Sequence, residues 1–491
     1  MGQSASADDT LTVIQSTREE LHANVTKLTR NLDAVDVLQL AKSLNISPSS
    51  PLRTDINPSK LGMHPIFISF IQSLASWPNL SNRRASLTLR DILVAIYLIS
   101  QRLISRDTLY RIFWLSLSPI DSEIKNEKLV DIIVNNKSEI QWHLLPIVQS
   151  FDEIELPHIT KADFHILLEA VLPMHTPNRT SPTSKQIFSI SHVFFNDDKE
   201  QITFDEFMRC LSQTPRLLDP ISEIFIPLLH PEIYKLEPMP EGKILPNVYA
   251  QISTFIPLIK PTHLYSASKH GFSLQALQTH ITKYPAPTLF LLRAKITDSN
   301  YSNFFKKFPH IHLNDNIKKE EHHYSKYITI GAYLNEPWAI KGFGDSNTKL
   351  VMLLPTHELC ITNPGLNKLS NAYLNQGVGF GATPPTKHGF NIYPGVSITI
   401  DPSLEYGVWR SDGQPGTFRS SIIEELWFHI NEVEVWGLGD ESQHKEQKRL
   451  WEWEEREAER RKHINKDDVA ESRALLELAG LVGANRSGGS I

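Results

Sequence analysis

The sequence predicts an α+β protein: a helical N-terminal region, a two-sheet antiparallel β-sandwich with flanking helices, and a C-terminal helix. Three observations carry that prediction. From about Ile66 to Leu229 the chain reads as mainly helical, with threonines placed to cap successive helices. From about Ile244 onward, short apolar and aromatic runs alternate with Gly, Asn, Asp and Pro, the pattern of strands and hairpins. Many short strands with one or two helices suit a sandwich. From Asp440 to Leu478 charge is dense, as on a long exposed helix.

The 491 residues exceed one simple core, and about 100–200 residues per domain gives two or three domains. The segments are 1–15, a lipidated N-terminal segment; 16–60, an amphipathic helix and linker; 61–240, the helical region; 241–439, the β-rich domain; and 440–491, the charged helix and tail. Hydrophobic residues at 41% and charged residues at 21% are ordinary globular values. A net charge of -6 gives no basic footprint, so no direct nucleic-acid partner is expected. Cys210 and Cys360 are the only cysteines, which excludes a disulfide framework and any CxxC metal site. The longest apolar run, Ile92 to Ile99, falls far short of the roughly 20 residues a membrane span needs and reads as a buried helix.

The start, Met1-Gly2-Gln3-Ser4-Ala5-Ser6, matches the N-myristoylation pattern, with Gly2 as acceptor and Ser6 as the required hydroxyl. One myristoyl chain binds a bilayer reversibly, with K on the order of 10⁴ M⁻¹. Asp8-Asp9 stand where a lysine run would add a second signal, and no cysteine lies nearby. A single weak anchor on a membrane surface is therefore expected, completed by a protein partner. Beyond it, Ser16 and Glu19 form a capping box for a helix to about Leu44 with heptad-like apolar spacing, interrupted at Arg18. Residues 45–60 read as a linker.

The helical region repeats one short pattern: apolar, Thr, two variable residues, an acid, apolar. It occurs at Leu87-Thr88-Leu89-Arg90-Asp91-Ile92, Ile159-Thr160-Lys161-Ala162-Asp163-Phe164 and Ile202-Thr203-Phe204-Asp205-Glu206-Phe207. Each threonine can N-cap a helix while the acid bonds back. The same pattern opens the exit helix of an EF-hand, but calcium needs oxygen ligands at loop positions one, three and five and glycine at six. In the third copy those positions hold Phe195, Asp197, Lys199 and Glu200. These frames are EF-hand-like without the metal, and no metal site is expected from them.

In the β-rich part, strands are expected over Thr288 to Ile296, Tyr327 to Tyr333, Pro337 to Lys341, Lys349 to Leu354, Ser397 to Ile400 and Ile430 to Trp436. One amphipathic helix is expected over Ser273 to Tyr284, and Thr297 to Glu321 reads as a polar loop.

Several segments then follow in a characteristic order. They are Leu264-Tyr265-Ser266-Ala267-Ser268-Lys269-His270-Gly271-Phe272, the strand Pro287 to Leu292, and Trp338 with Gly342-Phe343-Gly344-Asp345-Ser346. Leu353-Leu354-Pro355, Gly377-Val378-Gly379-Phe380-Gly381, and Glu432-Val433-Glu434-Val435-Trp436-Gly437 complete the order. From Leu264 to Leu438 the chain resembles a TLDc domain. The lipidation start, the EF-hand-like frames and the charged terminal helix make it similar to the fungal restriction-of-telomere-capping type of that family. Lys349-Leu350-Val351-Met352 and Gly416-Thr417-Phe418 depart from the phenylalanine-rich strand and the Cys/Thr-Phe element of the broader family. The resemblance implies a TLDc two-sheet sandwich and links to oxidative-stress resistance. It also implies binding to cytosolic subunits of the vacuolar ATPase (V-ATPase), favouring disassembly or inhibition of the pump, and a genetic connection to telomere capping. A cytoplasmic protein with reversible peripheral contact with the vacuolar membrane is the corresponding expectation.

Candidate chemistry is sparse, and no catalytic residue and no cofactor are assigned. His310, His312, His322 and His323 match no zinc spacing and lack a completing cysteine or carboxylate pair. The Gly377–Gly381 run is not a phosphate-binding loop and marks a close backbone approach. Cys360, near His357, is the candidate thiol of an alternative reading, an antioxidant enzyme, which would require a lowered pKa. Asp345 and Glu434 read either as a surface site or as a turn acid and a solvent-facing strand acid.

On the terminal helix, Glu452–Arg456 and Glu457–Arg461 have the supportive i, i+4 orientation. Trp451 and Trp453 are conspicuous on so polar a surface, because tryptophan is enriched at binding hot spots. Trp451, Trp453, Arg456 and Arg460 are the partner-binding candidates, with docking of the tryptophans onto the chain's own domain as the equal alternative. A protein acting directly on telomeres would need a basic face, and Arg460-Arg461-Lys462 is too short to supply it.

Overall fold

The computed structural model describes residues 64–76, 106–117, 156–195, 199–224, 236–297, 326–363 apart from 341, 371–382, and 395–443 apart from 415, 420 and 424. In the C-terminal helix it describes 445–453, 456, 457, 459, 460 and 475. Gly2, the helix from Ser16, the linker, the Ile92–Ile99 run, the frame at Leu87 and the four clustered histidines lie outside the described residues. The described chain is α+β, with one large antiparallel sheet and a few helices.

The helical part contains α1 (Pro65–Ser76), α2 (Arg106–Ser116), α3 (Lys161–Val171), α4 (Ser184–Phe194) and α5 (Phe204–Cys210). Both described capping frames form: Thr160 and Asp163 cap α3 reciprocally, and Thr203 and Glu206 cap α5. Thr183 and Gln186 make a third box on α4. The two frames meet in a two-residue antiparallel ladder, β1 (Ile159–Thr160) with β2 (Gln201–Ile202), in which Ile159 faces Ile202. Beside it, Lys199 Nζ lies 2.6 Å from Glu206 Oε1. An aromatic core closes the region, with ring centroids of Phe164 and Phe194 4.7 Å apart and of Trp114 and Phe207 5.0 Å apart.

The β-rich part is a 10-stranded sheet of β3 (Thr262–Ser266), β4 (Thr288–Thr297), β5 (Tyr327–Leu334), β6 (Lys349–Leu354), β7 (Glu358–Ile361), β8 (Ala372–Tyr373), β9 (Val378–Phe380), β10 (Val396–Ile400), β11 (Tyr406–Ser411) and β12 (Glu425–Gly437). Their order is β7-β6-β5-β4-β12-β11-β10-β9-β8, with β3 also on β12. This corrects the expectation of two separate sheets. One continuous sheet folds over on itself: Phe290 on β4 and Phe380 on β9, far apart in strand order, have ring centroids only 5.6 Å apart. The fold-over is possible because β12 is 13 residues long and changes partner along its length. Residues 425–429 pair with β11, 434–437 with β3, and the register shifts between Ile430 and Glu432 on the β4 side. The β7 edge is closed by the β11–β12 connection, where Asn363 N–H and Arg419 N–H bond to the carbonyls of Thr417 and Ile361.

Two further expectations are adjusted. No strand forms over 337–340; Trp338 instead drops its ring into the core and donates its indole N–H to Thr288 Oγ1 at 2.8 Å. The final strand begins at Glu425 rather than Ile430. The expected helix is α8 (Leu274–Ile281), N-capped by Ser273 and preceded by the short α7 (Ala267–His270).

A further helix, α6 (Leu245–Ser253), wedges between the helical part and the outer face of the sheet. Its Ile244, Leu245, Val248 and Ile252 pack with Leu289, Leu291, Val351 and Leu353 of the sheet. Gln251 Nε2 bridges both sides, donating to Ser189 Oγ at 3.0 Å and to the Leu353 carbonyl at 2.8 Å.

Candidate functional site

The period of two along β12 sends Val433 and Val435 into the sandwich core and leaves Glu432, Glu434 and Trp436 on the opposite face. On that face β12 meets the start of α6 and of α7, whereas α8, through Leu277 and Ile281, packs with Val433 and Val435 on the core side. Glu434 is completely buried, which corrects both earlier readings of it, a surface site and a solvent-facing acid. Its carboxylate accepts the backbone N–H groups of Lys243, Ile244 and Leu245, the orphan donors at the start of α6. It also accepts the Trp436 indole N–H at 3.1 Å. Gly242 makes the approach possible, since a Cβ there would lie 2.6 Å from the Trp436 ring and 3.1 Å from Glu434 Oε2.

Glu432, two residues earlier, is 4% exposed. It accepts from Ser266 Oγ at 3.2 Å and from the Ser268 N–H at 3.0 Å, and Lys243 Nζ lies 3.4 Å away. Burial works against its charge, but those hydrogen bonds and the Lys243 ammonium prevail and hold the carboxyl below its ordinary range. Beside the acids, His270 and His280 stack at 4.1 Å and 14°, and His263 packs edge-on against Trp436 at 4.7 Å.

The chain leaves the domain at Gly439, whose N–H donates to Tyr284 Oη at 2.8 Å. Asp440 and Gln443 then cap the C-terminal helix α9, which begins at residue 441. With its amide turned to satisfy both ends, buried Gln447 donates to the Lys283 carbonyl at 3.1 Å and accepts from the Trp451 indole at 2.9 Å. The Trp451 ring also meets His280 at 6.0 Å in an edge arrangement. The two tryptophans therefore divide: Trp451 docks on the chain's own domain, and Trp453 is 56% exposed. Arg456 and Arg460 are exposed as well. Arg456 Nε reaches the Glu452 carbonyl rather than its carboxylate, Arg460 pairs with Glu457 at 3.3 Å, and Arg461 lies outside the described residues.

The remaining candidates resolve individually. Cys360 lies in the sandwich core, where burial, with Glu358 nearby, pushes its thiol well above the ordinary value, opposite to what a nucleophile needs. His357 does not activate it: its ring stacks on Phe255 at 4.2 Å, bonds Thr254 Oγ1 at 3.1 Å, and is driven by burial to a pKa of about 3. Asp345 is a turn acid that accepts the Asn347 N–H at 2.9 Å. Gly377 and Gly381 flank β9 with positive φ, and a Cβ on Gly377 would sit 2.2 Å from the Ile400 carbonyl oxygen, the close approach expected there. Among the described residues, no three His, Cys, Asp or Glu side chains are grouped to hold a metal ion.

Glu434 reads as a solvent-facing strand acid in the sequence because alternation along a strand does not show that its outer face is covered. The usable signal was Gly242 followed by an apolar helical run, a helix start with no capping side chain of its own.

Residues 241–439 match the family model described as the TLDc domain, so this part of the chain is a TLDc domain. It is similar to a protein called Restriction of telomere capping protein 5 from Zygosaccharomyces rouxii, 28% identical over 490 residues covering 87% of each chain. The protein of that name from Kluyveromyces lactis is 27% identical over 511 residues, again 87% of each chain. The one from Saccharomyces cerevisiae is 32% identical over 335 residues, 60% of this chain and 58% of that protein.

Proposed function

We propose that this chain is a non-catalytic regulatory protein that binds cytosolic subunits of the vacuolar proton-pumping ATPase and favours the pump's disassembly or inhibition. The observation that carries the binding reading is helix α9, docked along one edge by Gln447 and Trp451 while Leu450 and Trp453 are 37% and 56% exposed. A helix that offers an apolar pair to solvent beside exposed Arg456 and Arg460 suits a partner surface, where tryptophan and arginine dominate affinity. The pump is the partner that TLDc resemblance implies, and the link to oxidative-stress resistance has the same source. The relatives' name speaks of restricting telomere capping, which we carry over as a genetic connection.

The helical part serves as a calcium-free, EF-hand-like scaffold: its frames pair through Ile159 and Ile202, and Lys199 brings its own cation to Glu206. Myristoylation at Gly2 adds a weak membrane anchor, giving a cytoplasmic protein that visits the vacuolar surface. Among the described residues no helix is long and apolar enough to cross a membrane. The antioxidant-enzyme alternative lacks support from Cys360, whose burial opposes thiolate formation.

Affinity purification of the tagged full-length chain, Gly2→Ala, Trp453→Ala and a truncation after Gly439 tests the reading. Pump subunits should accompany the full-length chain and be depleted by Trp453→Ala and by the truncation. Their absence from every preparation would end the assignment.

A further inference from the structure

We propose that the stacked imidazoles of His270 and His280 form an acid-sensitive latch that holds helix α9 against the TLDc domain. This concerns regulation of the helix assigned above to partner binding, and it rests on that reading only for the consequence of release.

The hydrogen bonds settle the protonation of the pair. The Ser266 backbone N–H donates to His270 Nδ1 at 3.2 Å, so that nitrogen carries no proton and the ring is neutral. His280 Nδ1 faces the Ala276 carbonyl at 2.8 Å, so it must be the donor there. With the ring centroids 4.1 Å apart, the stack has no room for two positive charges. Protonating His270 would put a proton on the nitrogen that accepts from Ser266 and so remove that bond.

The surroundings do not compensate. Lys269 on α7 and His263 on β3, the latter 6.3 Å from His270, add positive charge. Tyr265 on β3 walls both rings, at 5.6 and 5.9 Å. On β12, Glu432 is already engaged by Ser266, Ser268 and Lys243, and Glu434 by the start of α6. Partial burial first, then His280, His263 and Lys269, push His270 down to about 4, in keeping with this arrangement.

The link to α9 is direct, because His280 is the ring on which Trp451 leans. When protonation of His270 breaks the stack, Trp451 loses its platform. The sign follows from linkage: His270 is held neutral in the stack and has an ordinary pKa near 6.5 once the stack opens. The closed form is therefore undisturbed above pH 6.5 and loses ground as pH falls from 6.5 towards about 4. At pH 5 a single such histidine biases the equilibrium by about 30-fold, which screening of the exposed His270 reduces to on the order of tenfold.

Hydrogen exchange on the full chain without any partner reads this directly. Protection factors for residues 441–453 should fall about tenfold between pH 7 and pH 5, while β12 keeps its protection. His270→Asn retains an acceptor for Ser266 but cannot be protonated, and should abolish the fall. Unchanged protection in the native chain, or an equal fall in His270→Asn, overturns the latch. Should His270→Asn fail to fold, NMR titration of the native histidines decides: a His270 that titrates at or above 6 overturns it, and one that titrates well below supports it. Neither measurement involves the pump, so failure of the partner assignment leaves this result standing.

Discussion

Replacing Glu434 with alanine should be among the most damaging single changes in the TLDc domain. The carboxylate is fully buried and receives three backbone N–H groups from 243–245 and one indole N–H. A hydrogen bond to a charged group contributes about 1.5–3 kcal/mol, and each buried donor left without an acceptor costs about 1–3 kcal/mol. Water entering the cavity would satisfy part of the set, so a net loss of about 3–5 kcal/mol is expected, against a total of roughly 5–15 kcal/mol for a domain. Glu434→Gln keeps one acceptor oxygen but turns an amide donor toward the same N–H groups, and should lose about half as much. Urea unfolding of the full chain by tryptophan fluorescence, with hydrogen exchange over 245–253, measures both. Exposed Glu241 replaced by alanine is the control and should stay within about 0.5 kcal/mol. A loss below about 1 kcal/mol for Glu434→Ala would mean that the start of α6 is satisfied otherwise, and the capping argument would fall.

Three further outcomes follow from the geometry. Lys199→Met should destabilise the paired frames; Lys199, then Thr203, hold Glu206 down to about 2, so this contribution is complete above pH 4.5 and lost as pH falls through about 2. The difference between native and variant thermal midpoints should close over that interval and also shrink in high salt, because the pair is exposed to solvent. Cys360 should resist a disulfide-exchange reagent at pH 8 until the domain is unfolded, and Cys360→Ser should leave peroxide protection unaltered; rapid native-state labelling would restore the thiol to consideration. Trp451→Ala should loosen α9 at a cost of about 1.5–2.5 kcal/mol, half the loss typical of a core tryptophan, whereas Trp453→Ala should leave exchange protection of α9 unchanged.

What could be read from the sequence was what depends on local pattern. The frames at Thr160 and Thr203 announced their capping boxes, and Thr288 to Ile296 announced a strand, because spacing along the chain decides both. Thr183 and Gln186 have the same spacing and cap α4 in the same way. Non-local facts were not legible. That β12 exchanges β3 for β11 depends on residues some 160 positions away, and no run of side chains marks the change. Glu434 reads as solvated until α6 is set against it. The identical pattern of Trp451 and Trp453 on a polar helix hides that one faces inward and the other outward, which only the position of His280 decides.

The partner change along β12 also bears on how the protein is made. Strands β3 and β4 leave the ribosome long before residues 425–437, yet both need that final strand as a neighbour. Until it emerges, the β3 and β4 edges and the apolar face beneath them remain open, and pairing across so long a stretch of chain is slow. The nascent domain is thus open to chaperones and to mispairing with other chains during most of its synthesis. A chain terminated early, even a few residues before Glu425, would lack the one segment on which both layers close, and should be degraded rather than persist as a partly active fragment.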